Sequence, residues 1–345
     1  MIKTYGIDLG TSTLKIYKKG EGIILDQKNV IAIQNRKKVI AIGDLAYEML
    51  EKAPATIVVS HPVKSGVIAD IANMQTLLNS VIKAIEKDKN RLKGGMILVA
   101  VPTDITDVEK RAFFELIANS NARAKTIGIV EKPIADALGV GLDITTAAGV
   151  MIVNIGADTT EISIMSLGGI VLSKLIPVGG NKLDESIKLY VKKKYNLLIG
   201  DKTAEVIKKQ LANALEDGED TIEVYGRNVV TGLPSKMSII SSMVQESIKE
   251  YLSTIIDSIK MILERTPPEI SSDIIDSGIY ITGGSAAIRN LDTLISSETD
   301  LKINICPDSA NTVVKGLGVI MENPDLATLA STVKTTSSTT MKRRV

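Results

Sequence analysis

The chain has 345 residues, 44% of them hydrophobic and 23% charged, with 41 Lys+Arg against 40 Asp+Glu for a net charge of +1. That length accommodates two medium domains with sizeable cores, and the near-neutral balance argues against a whole-surface electrostatic grip on nucleic acid. A single cysteine, Cys306, excludes an internal disulfide and fits a reducing cytoplasm; no apolar stretch approaches the roughly 18 residues of a membrane span, and MIKTYGIDLG enters a strand at once, so no signal peptide is expected.

TYGIDLGTSTLKIYKKGEGIIL opens as two strands joined by a tight turn at Gly10–Ser12. Strand segments follow over 29–42, then a helix-like patch from Leu45 to Glu51. Met74, Leu77, Leu78, Val81, Ile82 and Ile85 recur at helical spacing within 73–90, the pattern of one buried helix face. MILVAVP (96–102) is a buried strand, and Thr106 with Glu109 forms a capping-box pattern ahead of a helix through Ala118. KTIGIVEKP (125–133) is strand-like and IADALGVGL (134–142) helical.

The second half repeats the plan. GVMIVNIGADTTEISIMSLGGIVLSKLIPVGG gives three strands, DESIKLYVKKKYN and TAEVIKKQLANAL two helices, and 241–265 a long helix with Val244, Ile248, Leu252, Ile255, Ile259 and Ile262 on one face. GIYITGG (278–284) is a strand whose glycines lead into another helix. GIDLGTST (6–13) and VNIGADTT (153–160) share one form: apolar strand, polar residue, apolar residue, Gly, two residues, hydroxyls. Two related α/β halves facing a shared cleft follow from this. The tail from Ser331 is polar and hydroxyl-rich, and disorder is expected over 331–345.

A phosphate chain needs close backbone N–H groups, hydroxyls and a counter-charge. Gly10 and Gly156 supply the open backbone; Thr11, Ser12, Thr13, Thr159 and Thr160 supply hydroxyls. Asp8 is placed to hold Mg²⁺ through water, and Lys15 to reach a phosphate. In ITGGSAAI (281–288), Gly283 and Gly284 open a helix whose N-terminus suits an adenine or a phosphate.

These motifs resemble the first phosphate loop, connecting segment, second phosphate loop and adenosine motif of the actin superfamily. EKPIADALGVGLDI, SLGGIVLSKLIPVGGNKLDESI, KKYNLLIGDKTAEVIK, VTGLP and ERTPPEISSDIIDSGIYITGG are similar to MreB, the bacterial actin and rod shape-determining protein, over about residues 5–322. The resemblance implies an actin-like two-domain α/β fold, with duplicated ribonuclease-H-like halves around a nucleotide cleft. It places the first large subdomain at 1–30, 73–142 and 310–330 and its small subdomain at 31–72, the second large subdomain at 143–178 and 244–309 and its small subdomain at 179–243. It further implies ATP or ADP with Mg²⁺, and head-to-tail polymerisation into paired protofilaments on the inner face of the membrane, beside paralogous MreB proteins. Asp8, Gly10, Thr11, Ser12, Gly156, Ala157, Asp158, Thr159, Thr160 and Gly180 would surround the phosphates. Glu205 and Lys208 would flank base and ribose, with Gly283, Gly284 and Ala286 beneath the base.

The departures bear on chemistry. MreB typically reads EEP in the connecting segment, where the carboxylate before Pro polarises the attacking water; this chain reads Glu131-Lys132-Pro133. MreB typically reads DIGGGTTE in the second loop, where the Asp helps organise Mg²⁺; here it is Asn154, and two glycines are Ala157 and Asp158. A protonated lysine accepts no proton. A degenerate paralogue follows, one that binds ATP and hydrolyses it slowly, with Lys132 pairing the γ-phosphate. Asp158, paired with Lys132 or orienting a water, and Glu131 are the possible substitute bases, although a one-residue shift on a strand turns Glu131 to the opposite face.

Three functional classes stay open at this level: a filament governed by ATP binding, an active ATPase filament, and a non-polymerising sugar kinase or chaperone ATPase relative. The last is disfavoured, since the MreB-like text continues through the small subdomains. His61 is the only histidine, so no His-based metal cluster exists, and it is expected to pack a loop; Cys306 is expected to be a small buried residue. Leu92 among Lys87, Lys89, Arg91 and Lys93, with the basic MKRR of the tail, is the candidate membrane contact, mainly electrostatic.

Overall fold

The computed structural model describes residues 3–87, 95–215 and 218–334. The chain opens as an antiparallel meander of β1 (Thr4–Leu9), β2 (Thr13–Lys18) and β3 (Gly22–Lys28). A small sheet of β4 (Ile31–Gln34), β5 (Lys38–Ile42) and β6 (Ile57–Ser60) follows, with α1 (Gly43–Glu48) between its last two strands. A short hairpin, β7 (Val63–Lys64) and β8 (Val67–Ile68), leads to α2 (Ile71–Lys87), which buries the six apolar residues marked by its helical spacing. The run MILVAV becomes β9 (Met96–Val101), parallel to β1 and buried over nearly its whole length, as a strand covered on both faces must be.

Helix α3 (Asp107–Ala118) begins with the capping box: Glu109 N–H donates to Thr106 Oγ1 at 3.2 Å, and Thr106 N–H donates to the Glu109 carboxylate at 2.8 Å. Strand β10 (Thr126–Glu131) runs directly into α4 (Lys132–Val140), two residues earlier than its apolar pattern indicates. Extended Glu131 caps the helix and Pro133 fits its first turn, where a missing N–H costs nothing.

In the second half, β11 (Val150–Ile155), β12 (Thr160–Ser166) and β13 (Gly169–Ile176) form the matching meander. Next come α5 (Gly180–Tyr195), β14 (Leu197–Leu198), α6 (Asp201–Leu211), β15 (Thr221–Asn228) and β16 (Pro234–Ile240). Helix α7 (Ser241–Glu264) buries its predicted face from Val244 to Ile262, and α8 (Pro268–Ser277) leads to β17 (Ile279–Thr282). The glycines after β17 do not open an α-helix: Gly284–Ala287 is a 3-10 turn, and α9 (Leu291–Thr299) begins only after Asn290 adopts φ 58. β18 (Ile303–Ile305) and α10 (Thr312–Glu322) complete the repeat.

The duplication is visible in strand order. One sheet reads β3-β2-β1-β9-β10 and the other β13-β12-β11-β17-β18, each with an antiparallel meander beside parallel strands. The first carries an extra edge strand, β19 (Ser331–Lys334), antiparallel to β10. The expected disorder from Ser331 is therefore corrected for these four residues: the open edge of β10 offers the hydrogen bonds that a polar STVK could not obtain alone. Between the sheets a shared core joins Leu98 and Ala100 to Ile152 and Met165 through α4 and α10. No helix among the described residues is long and apolar enough to cross a membrane.

Candidate functional site

Two turns of one geometry face each other above the shared core. Gly10 N–H donates to Thr13 O at 2.9 Å, and Gly156 N–H donates to Thr159 O at 2.9 Å. A Cβ on Gly10 would lie 2.9 Å from Thr13 O, too close for that backbone to keep its place, and one on Gly156 3.1 Å from Thr159 O, a tight contact that glycine avoids. Between them lies a cleft of about 430 Å³. Asp8, Gly10, Thr11, Ser12, Thr13 and Lys15 line it from the first half, and Asn154, Gly156, Ala157 and Thr159 from the second. Lys132 reaches it from the start of α4, and Gly180, Glu205, Lys208, Gly283 and Gly284 close the far wall.

Four predicted residues stand elsewhere. Thr160 is fully buried and its hydroxyl donates to Val178 O at 2.7 Å, because its place on β12 turns it into the core. Ala286 is buried behind the 3-10 turn. Glu131 pairs with Lys110 at 3.6 Å, on α3, and does not line the cleft. Asp158 neither lines the cleft nor meets Lys132: its Oδ2 accepts from Ser65 N–H at 2.8 Å and its Oδ1 from Asn181 Nδ2 at 2.7 Å. Both carboxylate oxygens are thus engaged in joining the β7–β8 hairpin to α5. Leu92, Lys89, Arg91, Lys93 and residues 335–345 lie outside the described residues.

The lysines of the cleft wall and Glu205 are each engaged by a partner within the protein. Lys15 lies in the wall, but its ammonium donates to Ala310 O and to Asn311 Oδ1 at 2.6 Å, so it is tied to the segment before α10. Lys208 donates to Asp184 at 2.7 Å and to Gly180 O at 2.9 Å. Glu205 meets Lys28 at 3.2 Å and Lys209 at 2.7 Å and accepts from the Tyr47 hydroxyl. Burial alone would raise the Glu205 pKa, but the hydrogen bonds from Lys209 and Tyr47 and the charge of Lys28 outweigh it and hold the carboxyl at about 2. Across the same gap, Asp201 N–H donates to the Glu51 carboxylate at 3.0 Å. Glu205→Ala removes the anchor for both Lys28 and Tyr47, so amide hydrogen exchange in α1 and α6 is expected to accelerate several-fold.

Lys132 meets Asp8 Oδ1 at 3.2 Å. Beside them the Asn154 amide donates to Asp136 Oδ2 at 2.8 Å. This donor set fits a divalent cation poorly: Asp8 already carries an ammonium, Asn154 offers only an uncharged carbonyl oxygen while its NH2 donates to Asp136, and no group of three His, Cys, Asp or Glu suited to a metal occurs among the described residues. Asp8, expected to hold Mg²⁺ through water, stands in this structure as the ion-pair partner of Lys132. Cys306 is buried as expected, and burial, then the nearby Asp136, pushes its thiol up to about 11. His61 is half-buried, and burial lowers its pKa.

Two acidic residues escaped the sequence reading. Asp136 is buried in α4, where burial raises its carboxyl pKa against hydrogen bonds from Thr282, Thr312 and Asn154. Glu161 lines the cleft at the start of β12 and accepts from Thr103 N–H at 2.6 Å and from the Thr103 hydroxyl at 2.5 Å. Burial drives its carboxyl up to about 7, only partly offset by Thr103 and by the charge of Lys132. A glutamate opening an apolar strand was the available signal. Because the folded-state pKa lies above the ordinary 4.5, the contribution of Glu161 is fully present below pH 4.5 and is lost as pH rises through 7. The loss is on the order of 3 kcal/mol. Urea denaturation of nucleotide-free protein at pH 5 and pH 8 is expected to show it, and Glu161→Gln to flatten it.

Two sheets of one strand order, with matching glycine turns facing across a cleft, define an actin-like fold. Solved structures agree. MreB 5 of Spiroplasma citri bound to AMPPNP superposes with a TM-score of 0.90 at 33% identity, covering 95% of this chain and 98% of that one. The MamK double helical filament, 22% identical with a TM-score of 0.77, covers 93% of this chain and 99% of its own and shares the fold. Residues 2–328 match the family described as MreB/Mbl protein. The cell shape-determining protein Mbl of Bacillus cereus is 39% identical over 322 residues, 93% of this chain and 96% of the relative. The chain belongs to the MreB/Mbl family, the bacterial actins.

Proposed function

We propose that the protein is an ATP-binding bacterial actin that polymerises into membrane-associated filaments for cell shape or motility, with weak hydrolysis. The observation that carries this reading is Lys132: it stands in the cleft wall, paired with Asp8, at the position before Pro133 where the MreB pattern carries its water-activating carboxylate. The AMPPNP-bound and ADP-bound structures of the S. citri relative support the nucleotide, ATP or its product ADP. Self-assembly is supported by family membership and by the apolar tip of the β15–β16 hairpin, where Val230 and Leu233 are 75% and 65% exposed. Filaments of this kind would run alone or with paralogous MreB proteins at the cytoplasmic face of the cell membrane. There Lys89, Arg91 and Lys93 around Leu92, with the basic tail, supply a mainly electrostatic contact. Co-sedimentation with liposomes is expected to rise with anionic lipid content; binding indifferent to it would refute that contact.

Pelleting with and without ATP, run beside phosphate release, tests the core of the proposal. ATP-dependent pelleting with near-background release is the expected result. Failure to pellet under any nucleotide would remove the filament, and brisk release would remove the weak hydrolysis. A second reading, an ATPase with a substitute base, has one observation in its favour. Glu161 is a cleft-lining carboxyl whose pKa of about 7 suits proton transfer near neutrality. Under that reading Glu161→Gln abolishes release; under the first it changes little.

A further inference from the structure

Mg²⁺ sheds its waters reluctantly, and at phosphate sites it is held through one or two carboxylates together with the phosphates themselves. This cleft has the opposite charge arrangement. Its carboxylate beside the first loop, Asp8, has the Lys132 ammonium 3.2 Å from Oδ1, and the two side chains are only 12% and 17% exposed. At the second loop Asn154 brings no charge, and its amide is committed to Asp136. Asp136 cannot replace the missing carboxylate, since it is 1% exposed, bonded to the Thr282 hydroxyl at 2.5 Å, and outside the cleft lining.

Lys132 is also placed against a local preference. It opens α4, and the N-terminal end of a helix is the positive end of its dipole. An ammonium there needs a negative partner, and Asp8 is that partner. Asp8 Oδ1 is buried and accepts no hydrogen bond, and the cation beside it is Lys132 itself.

We propose that this cleft takes its triphosphate without a protein-held divalent cation, the Lys132 ammonium acting as the fixed counter-charge. The inference rests on the nucleotide reading given above. An ammonium is a compact charge with three donors, suited to phosphate oxygens as a point partner. A divalent ion approaching Asp8 would have to displace that ammonium or lie against it, like charge against like. Binding and metal are thereby uncoupled: nucleotide affinity should follow Lys132 rather than Mg²⁺.

The test titrates a fluorescent ribose-labelled ATP into the full-length protein by fluorescence anisotropy, once in excess Mg²⁺ and once in excess EDTA. The two dissociation constants are expected to agree within about fivefold. Lys132→Gln, which keeps a polar side chain and removes the charge, is expected to lose at least about tenfold in EDTA and to recover most of it on adding Mg²⁺. A gap wider than fivefold for the unmodified protein overturns the inference and leaves the nucleotide reading standing. Absence of binding in both conditions overturns the two together. The comparison on unmodified protein decides the matter even if Lys132→Gln fails to fold.

Discussion

Lys132→Glu is expected to raise the rate of phosphate release from ATP by about 10²-fold, the lower end of what general-base assistance contributes. Lys132 enters the cleft from the first residue of α4, so a glutamate at the same backbone position puts a carboxylate into the same wall. A lysine is protonated near neutrality and can offset phosphate charge but cannot take a proton from water. The lower end is chosen because Asn154 remains, and because two carboxylates, Asp8 and the new glutamate, would then stand within ion-pair distance. Such a pair resists double ionisation and raises one of the two pKa values.

The control is Lys132→Gln, which removes the ammonium without supplying a base. If it accelerates release as much as glutamate does, relief of the Asp8 pairing would explain the gain and the base would not. Release has to be compared at saturating nucleotide, since Lys132 is also assigned to binding and a change in affinity would otherwise pass for a change in rate. Glutamate should also make turnover depend on an added divalent cation, because the counter-charge in the cleft is then gone.

The duplicated plan was legible because glycine punctuates it: the two strand-Gly-hydroxyl motifs became turns with the same 2.9 Å closing bond. Long helices were legible for a different reason, their apolar spacing, and α7 runs Ser241–Glu264 as its pattern indicates. Side-chain direction in and after the second loop was not. Register pairs Asn154 with Glu161 and Ile155 with Thr160, so Thr160 turns inward and Glu161 to the cleft. The partner that fixes Glu161, Thr103, lies 58 residues away on the other half. Asp158 was misread on the same grounds, since Ser65, 93 residues distant, captures its carboxylate. Local sequence states which residues a loop contains; the opposite wall decides where they point.

Gly316→Ala is expected to destabilise the protein by about 3 kcal/mol or more, at or beyond the upper end of ordinary overpacking. Helices α4 and α10 cross through two glycines: a Cβ at Gly316 would fall 1.6 Å from Ala135 O, and one at Gly139 1.8 Å from Thr312 O. Those separations are of bonded length and the obstacle in each case is backbone, so no rotamer change relieves them and one helix must move away from the other. Movement there is costly because α4 and α10 also carry the core that joins the two sheets, with Ile134, Leu138, Leu317 and Ile320 buried in it. The effect should reach the cleft as well, since α4 begins at Lys132 and a displaced helix draws the ammonium from Asp8. Gly284→Ala is the control: a Cβ there meets nothing within 4 Å, so stability should stay within about 0.5 kcal/mol. Equal denaturation midpoints for Gly316→Ala and the unmodified chain would mean that the two helices do not cross at these glycines, and the shared core beneath the cleft would have to be redrawn.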